Sequence, residues 1–313
     1  MTETTQTVFE KHQIRKSYAQ KSAFVQYVQS TAAKLGYQSR MEKGYLGARN
    51  VVVGDPDTAR VVYTAHYDTC AVMPFPNFIT PKCIWLFLLY QIAVGILMVA
   101  IPSGLVTGIF FGLAACGIKA NALLLYDLWL ILILAVCWLI MAGPANKHTA
   151  NDNTSGVTTL LDTMTALPEE LRGEVAFVFF DLEEMGLFGS AGFASKHKKV
   201  TKNTLVVNFD CVSDGNNILF VLRKGATRYT EAIQTAFPST EAFTVEVASK
   251  GAIYPSDQAN FVRGVGVAAL KKTKGGLLYM DRIHTGRDTV YMEENIAYLT
   301  EGAVRLAESL SEK

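Results

Sequence analysis

The chain has 313 residues, half of them hydrophobic, with 29 Lys and Arg against 28 Asp and Glu and a formal net charge of +1. So balanced a charge, with no arginine-rich stripe, gives no electrostatic footprint for nucleic acid and excludes it as a partner class. The five cysteines, at 70, 83, 116, 137 and 211, form no Cys-x-x-Cys pair and read as reduced, hydrophobic-type residues rather than as a disulfide framework.

From about residue 8 to 35, Phe9, Ile14, Tyr18, Phe24, Val25, Val28 and Leu35 recur at near-helical spacing, which predicts one amphipathic helix. Two short apolar runs, Asn50 to Val53 and Ala59 to Tyr63, are separated by the turn residues Gly54-Asp55-Pro56-Asp57 and predict two strands. The second strand delivers His66 and Asp68 at its end. Ser155 to Leu167 predicts a helix stopped by Pro168, and Glu174 to Phe180 a buried strand that ends at Asp181-Leu182-Glu183-Glu184. Thr204 to Phe209 predicts a strand leading into Asp210, followed by a short one near Ile218 to Leu222. Further strands are expected near 243–247 and 266–270, and helices over 227–236, 257–262 and 292–310. Alternating strands and helices predict a three-layer αβα sandwich with a mixed central sheet, a fold that places its polar site residues at strand ends.

Between Pro81 and Gly143 the chain is almost continuously apolar. Three segments stand out: Cys83 to Ile101 without a charge, Gly104 to Ile118, and Ala122 to Ala142 interrupted only by Asp127. The first and third approach the roughly 20 residues that span about 30 Å of hydrocarbon. The middle one carries Gly104, Gly108 and Gly112, a small-residue ladder of the kind that lets membrane helices pack closely. The expected organisation is one discontinuous domain, 1–80 with 144–313, and an inserted hydrophobic subdomain, 81–143. Two crossings are expected, Ile84 to Ile101 and Leu123 to Met141, with the middle segment re-entrant or packed between them. A buried helical cap or a dimer interface in a soluble protein is the alternative.

The chemistry-bearing residues are His66, Asp68, Asp152, Glu183, Glu184, Asp210 and His284, each at a predicted strand end or helix start. Their order, His-x-Asp, Asp-Asn-x-Ser-Gly, Glu-Glu-x-Gly-x-x-Gly-Ser, Asn-x-Asp and Ile-His-Thr-x-x-Asp-Thr, resembles the co-catalytic di-zinc aminopeptidases, the leucine-type and aminopeptidase Y-like zinc peptidases of clan MH. The resemblance covers nearly the whole chain outside the insertion and implies the zinc exopeptidase fold. It also implies two zinc ions per chain, with Asp152 bridging, His66 and Glu184 completing one site, and Asp210 and His284 the other. Imidazole and carboxylate donors suit zinc, and so carboxylate-rich a set also accepts manganese or cobalt. Glu183 is then the general base, and Asp68 the carboxylate that orients the His66 ring. Ser256-Asp257-Gln258-Ala259-Asn260-Phe261 is similar to the family's Ser-Asp-His-x-x-Phe segment, with glutamine in place of histidine; the departure bears on specificity. His148 reads as an exposed histidine, Lys196-His197-Lys198-Lys199 as a solvated helix end, and Cys70 as a small buried residue.

The reaction expected is removal of N-terminal residues from peptides, hydrophobic ones among them, by an enzyme anchored in the bilayer through 81–143. His66 and Asp152 must lie on one side of the membrane, so the crossings are even in number. The first thirty residues contain no apolar core of signal-peptide length. Lys82 and Lys147 flank the insertion while Lys119 lies within it, which favours a cytoplasmic catalytic domain. Carboxypeptidase or amide deacylase chemistry on the same metals stays open, as does a non-catalytic membrane receptor or scaffold. Glutaminyl cyclases are similar in fold but work with one metal.

Overall fold

In the computed structural model, which describes residues 1–311, a nine-stranded mixed sheet runs through the molecule. In chain order the elements are α1 (Glu3–His12), α2 (Tyr18–Lys34), β1 (Ser39–Lys43), β2 (Arg49–Val53), β3 (Val61–His66), α3 (Ile84–Ala115), α4 (Ala122–Ala142), α5 (Gly156–Ala166) and β4 (Val175–Phe180). There follow α6 (Phe188–Lys196), α7 (Lys198–Asn203), β5 (Leu205–Phe209), β6 (Asn217–Leu222), α8 (Thr230–Ala236), β7 (Thr244–Ala248), β8 (Gly264–Lys272), β9 (Leu278–Tyr279) and α9 (Glu293–Ser311). The strand order is β1-β2-β4-β3-β5-β8-β6-β7, with β9 on β8.

The middle of the sheet is parallel: β3 lies between β4 and β5, with His66 opposite Phe180 and Thr64 opposite Asn208. Strands from before and after the apolar insertion thus sit side by side. They are continuous apolar runs because both faces are covered. Phe177 and Phe179 face a core closed by α1, α2, α5, α8 and α9; Val178 and Phe180 face a second core under α6 and α7. Fully burying one such side chain contributes about 1.5–3 kcal/mol, and the alternation fixes which strand face each layer of helices covers. The result is the three-layer sandwich with a mixed sheet.

Several local expectations are corrected. The single N-terminal helix is two, broken at residues 13–17, where Ser17 caps α2 in a reciprocal capping box with Gln20. Residues 257–262 form only a short 3-10 turn, Asp257–Asn260. His197 does cap the end of α6 among exposed lysines, as expected, but its ring is not solvated: it is wedged between the carboxylates of Glu42, at 2.9 Å, and Asp57, at 2.8 Å. The hydrogen bond to Glu42, and then Asp57, raise the His197 pKa, and the same bond holds Glu42 low. A raised histidine stabilises the fold fully below its ordinary value of 6.5 and loses that contribution as pH rises through the raised value. The lowered Glu42 contributes above its ordinary 4.5 and loses this only on strong acidification. The melting-temperature gap between wild type and His197→Gln is therefore expected to be widest below the ordinary 6.5 and to narrow as pH rises through the raised value. A gap that stays constant across this range would contradict the assignment.

The apolar insertion is a helical hairpin. Its first segment and the glycine-bearing middle segment are one continuous helix, α3, that runs through Pro102; a proline without its N–H is tolerated in such helices. α3 and α4 are both long and apolar enough to cross a membrane, and neither is buried by the rest of the chain. Trp129 Nε1 donates to Ser103 Oγ across the pair at 3.0 Å. The glycine ladder does not serve this contact, since a Cβ at Gly104, Gly108 or Gly112 would meet open space.

Candidate metal centre

The site lies where the parallel strands end. His66 is the last residue of β3, Asp210 follows β5, Glu183 and Glu184 follow β4, Asp152 precedes α5, and His284 lies in the loop between β9 and α9. His66 Nε2 is 3.3 Å from Asp152 Oδ1 and 3.4 Å from Asp210 Oδ1. His284 Nε2 is 3.1 Å from Asp152 Oδ2 and 3.2 Å from Glu184 Oε2. The donors therefore divide as His66 with Asp210 and His284 with Glu184, one pair on each oxygen of Asp152. This differs from the pairing implied by the resemblance; β4 and β5 both flank β3, so the division follows from how the Asp152 carboxylate is turned among the donors rather than from strand order.

Surrounding hydrogen bonds hold the donors. Asp288 accepts the backbone N–H groups of Asn151 and Asp152, at 2.9 and 3.0 Å. The Asn153 side chain donates to the Phe209 carbonyl and accepts from the N–H groups of Gly156 and Cys211, which ties the Asp152 segment to the end of β5. The Asp68 carboxylate accepts the N–H groups of Glu183, at 3.0 Å, and Glu184, at 3.2 Å. His66 Nδ1 lies nearer the Asp68 carbonyl, at 3.1 Å, than the Asp68 carboxylate, at 3.6 Å. Asp68 thus meets the ring chiefly through its main chain and uses its side chain to set the Glu183–Glu184 turn. Leu182, Leu187, Cys211 and His284 all have φ between 56° and 65°. Left-handed non-glycine residues are sparse elsewhere in folds, and here they cluster at the loops that carry donors.

The electrostatics show a site crowded with carboxylates. Burial, then the charges of Asp210, Glu184 and Asp257, push the Glu183 carboxyl well up, and burial raises Glu184 to about 8. Although burial opposes it, Glu184 and Asp152 raise His284 to about 9. Against the cost of burial, the two histidines hold the Asp152 carboxyl low. Glu184 Oε1 is buried and has no hydrogen-bond partner. Three groups of donors, His66 with Asp152 and Asp210, Cys70 with Glu184 and His284, and His66 with Glu183 and Glu184, each lie within 4.8 Å of one another. An orphaned carboxylate oxygen among imidazoles and acids is what a divalent cation satisfies, so the residues fit zinc.

Three positions differ from expectation or escaped it. Gln258 does not face the substrate side: it is buried, donates to the Tyr254 carbonyl at 2.6 Å and accepts from Asn208 at 3.3 Å. Cys70 is more than a small core residue, since its sulfur lies among the Glu184 and His284 donors. Arg15 carries no motif, yet it is fully buried; its guanidinium donates to the Tyr67, His12 and Gln13 carbonyls and to Thr154 Oγ1. It joins the end of β3 to the Asp152 segment. Burial lowers its pKa to about 10 against the pull of Asp68 and Asp152, so it stays charged. Arg15→Met strands these acceptors and is expected to cost roughly 2–4 kcal/mol. Thermal unfolding in detergent measures this, and an unchanged melting temperature would refute the role. His148 is exposed, as expected.

A sheet of this order with imidazole and carboxylate donors at its strand ends defines a zinc-dependent hydrolase of the exopeptidase type. Consistent with this, the model of "Peptidase family M28" matches residues 136–303, more than half the chain. The chain belongs to peptidase family M28, whose substrates are peptides. Among solved structures, it is similar to the Legionella pneumophila LapA aminopeptidase, at 12% identity and a TM-score of 0.57 over 99% of this chain and 68% of that one. It is also similar to a Zn-dependent exopeptidase from Parabacteroides distasonis, at 16% identity and a TM-score of 0.54 over 99% and 98% of the two chains. Glutaminyl cyclase from Porphyromonas gingivalis is a third, at 16% identity and a TM-score of 0.55 over 97% and 98%. At these identities the likeness is one of fold. No curated protein matches the chain in sequence.

Proposed function

We propose that the protein is a membrane-anchored aminopeptidase with two zinc ions per chain. His66 and Asp210 would hold one ion, Glu184 and His284 the other, and Asp152 would offer one oxygen to each. The convergence of two donor pairs on the two oxygens of Asp152 carries this reading, and it favours two metals over the single metal of a cyclase. When bound, the ions supply Lewis-acid polarisation of the scissile carbonyl and a lowered pKa for the attacking water. Glu183 borders the pocket. It takes the proton of the attacking water and returns it to the leaving amine. Asp68 keeps that carboxylate in place through the backbone of its turn.

The bilayer reading is supported by the length, apolarity and exposure of the hairpin. α4 is 21 residues long, about 31 Å at 1.5 Å per residue and so matched to the hydrocarbon thickness. Trp85, Tyr126 and Trp138 are exposed toward its two ends, where membrane proteins place aromatic belts. Lys82 and Lys147 lie on the catalytic side, which is assigned to the cytoplasm.

Matched peptides with free and acetylated N-termini test the reaction on detergent-purified protein. Cleavage of the free series alone is expected. Cleavage of acetylated peptides from the C-terminal end, or release of the acyl group, would replace the proposal with a carboxypeptidase or deacylase.

A further inference from the structure

The pocket over the metal donors, about 450 Å³, is not closed by the catalytic domain alone: Phe87 and Gln91 of α3 line it together with Asn77 and Ile79. Phe87 and Gln91 are four residues apart and so share a helix face. Phe87 packs on the apolar cluster that contains Tyr254 and Ile283. Gln91 Nε2 donates to Asn77 Oδ1 at 3.3 Å, and the neighbouring Tyr90 hydroxyl donates to the Pro76 carbonyl at 2.5 Å. The segment that carries Asn77 is zipped to the loop of a metal donor: Met73 N–H donates to the His284 carbonyl at 2.7 Å and Asn77 N–H to the Ile283 carbonyl at 3.3 Å. Its other end, from Val72 to Phe75, borders a narrow apolar groove of about 200 Å³ formed with Leu97, Ile101 and Leu139 of the hairpin. One short segment therefore touches both the metal site and the membrane helices.

The hairpin sets the distance between them. α3 and α4 run antiparallel and meet at Ser103 and Trp129. Ala142, the end of α4, lies thirteen positions beyond Trp129, so its level on α3 is thirteen positions before Ser103, at Tyr90. Gln91 is then at the level where the hairpin begins, and Phe87 about one turn, roughly 6 Å, above it. If the bilayer begins where the hairpin begins, the pocket wall stands at its surface.

We infer that this pocket takes the N-terminal segments of peptides that are themselves held in the bilayer, with the anchor only a few residues from the bond cleaved, and that Phe87 and Gln91 form the wall those segments lie against. This rests on the proposed peptidase and bilayer readings. An extended chain advances about 3.3 Å per residue, so about two residues cover the roughly 6 Å from the level of Gln91 to that of Phe87.

The test uses the full chain in phosphatidylcholine vesicles. Three peptide series share the same N-terminal tetrapeptide, opening with Leu, Phe or Ala. One is soluble, one carries a palmitoyl-lysine at about position 5, and one carries it at about position 16 after a Gly-Ser spacer. Both lipidated forms partition equally, so their effective surface concentrations cancel. The expected result is that the short-spacer peptide is cleaved with at least about tenfold higher kcat/KM than the long-spacer one, and that Phe87→Ala or Gln91→Ala raises KM for the short-spacer peptide selectively. Equal rates, or a requirement for the long spacer, would overturn the inference while leaving the peptidase reading intact. Cleavage of none of the three series would overturn both.

Discussion

Glu183→Gln is expected to keep two metals per chain and to lose about 10²–10⁴-fold in kcat, the range a positioned general base supplies. The substitution is nearly isosteric and spares both the five donors and the backbone N–H of residue 183, so Asp68 still holds the turn at 3.0 Å. What is removed is the ability to accept a proton. A fall in kcat with little change in KM marks a group acting in the transition state. Steady-state kinetics beside elemental analysis checks this, and a variant of full activity would remove Glu183 from the mechanism. A variant that loses metal would make it a ligand instead.

Asp152→Asn is expected to fail one step earlier, through loss of metal and with it all measurable turnover. Each Asp152 oxygen faces a different histidine, His66 at 3.3 Å and His284 at 3.1 Å. An asparagine offers one acceptor oxygen and turns an N–H₂ donor toward the other pair. It also removes the negative charge that offsets two cations in a buried site, where an unbalanced charge is most costly. Metal content below one ion per chain, with folding retained by circular dichroism, is the expected outcome. Two ions and normal turnover would show that Asp152 does not bridge.

These two residues were legible in the sequence through the joint order of five motifs that carries the resemblance to the zinc peptidases, since a single acidic residue at a strand end or helix start means little alone. The β4 run Val175 to Phe180 followed by two glutamates is the clearest of them. The pairing of donors was not legible, since it depends on how the two Asp152 oxygens are turned toward the histidines in space, which no residue pattern records. Nor was Arg15, which does its work through main-chain carbonyls that leave no residue pattern. In the insertion, hydropathy located the apolar block but not its break. Nearly every position is apolar there, so periodicity carries little signal, and Pro102 suggests a boundary that α3 passes through. The glycine ladder misled for a related reason: spacing shows that a face is small, not which neighbour it meets. His197 was hidden among lysines, and only the fold brings Glu42 and Asp57 to it.

The most direct test of the central claim is the metal content of the wild-type chain, purified in detergent and measured by elemental analysis against protein concentration from amino-acid analysis. Two zinc ions per chain, both lost on chelation together with the peptidase activity and restored with it, is the predicted result. One ion per chain with full activity would contradict the two-metal account and leave a single-metal site of the cyclase kind, while less than one with no turnover on any peptide would leave the hydrophobic hairpin as the working part of the protein.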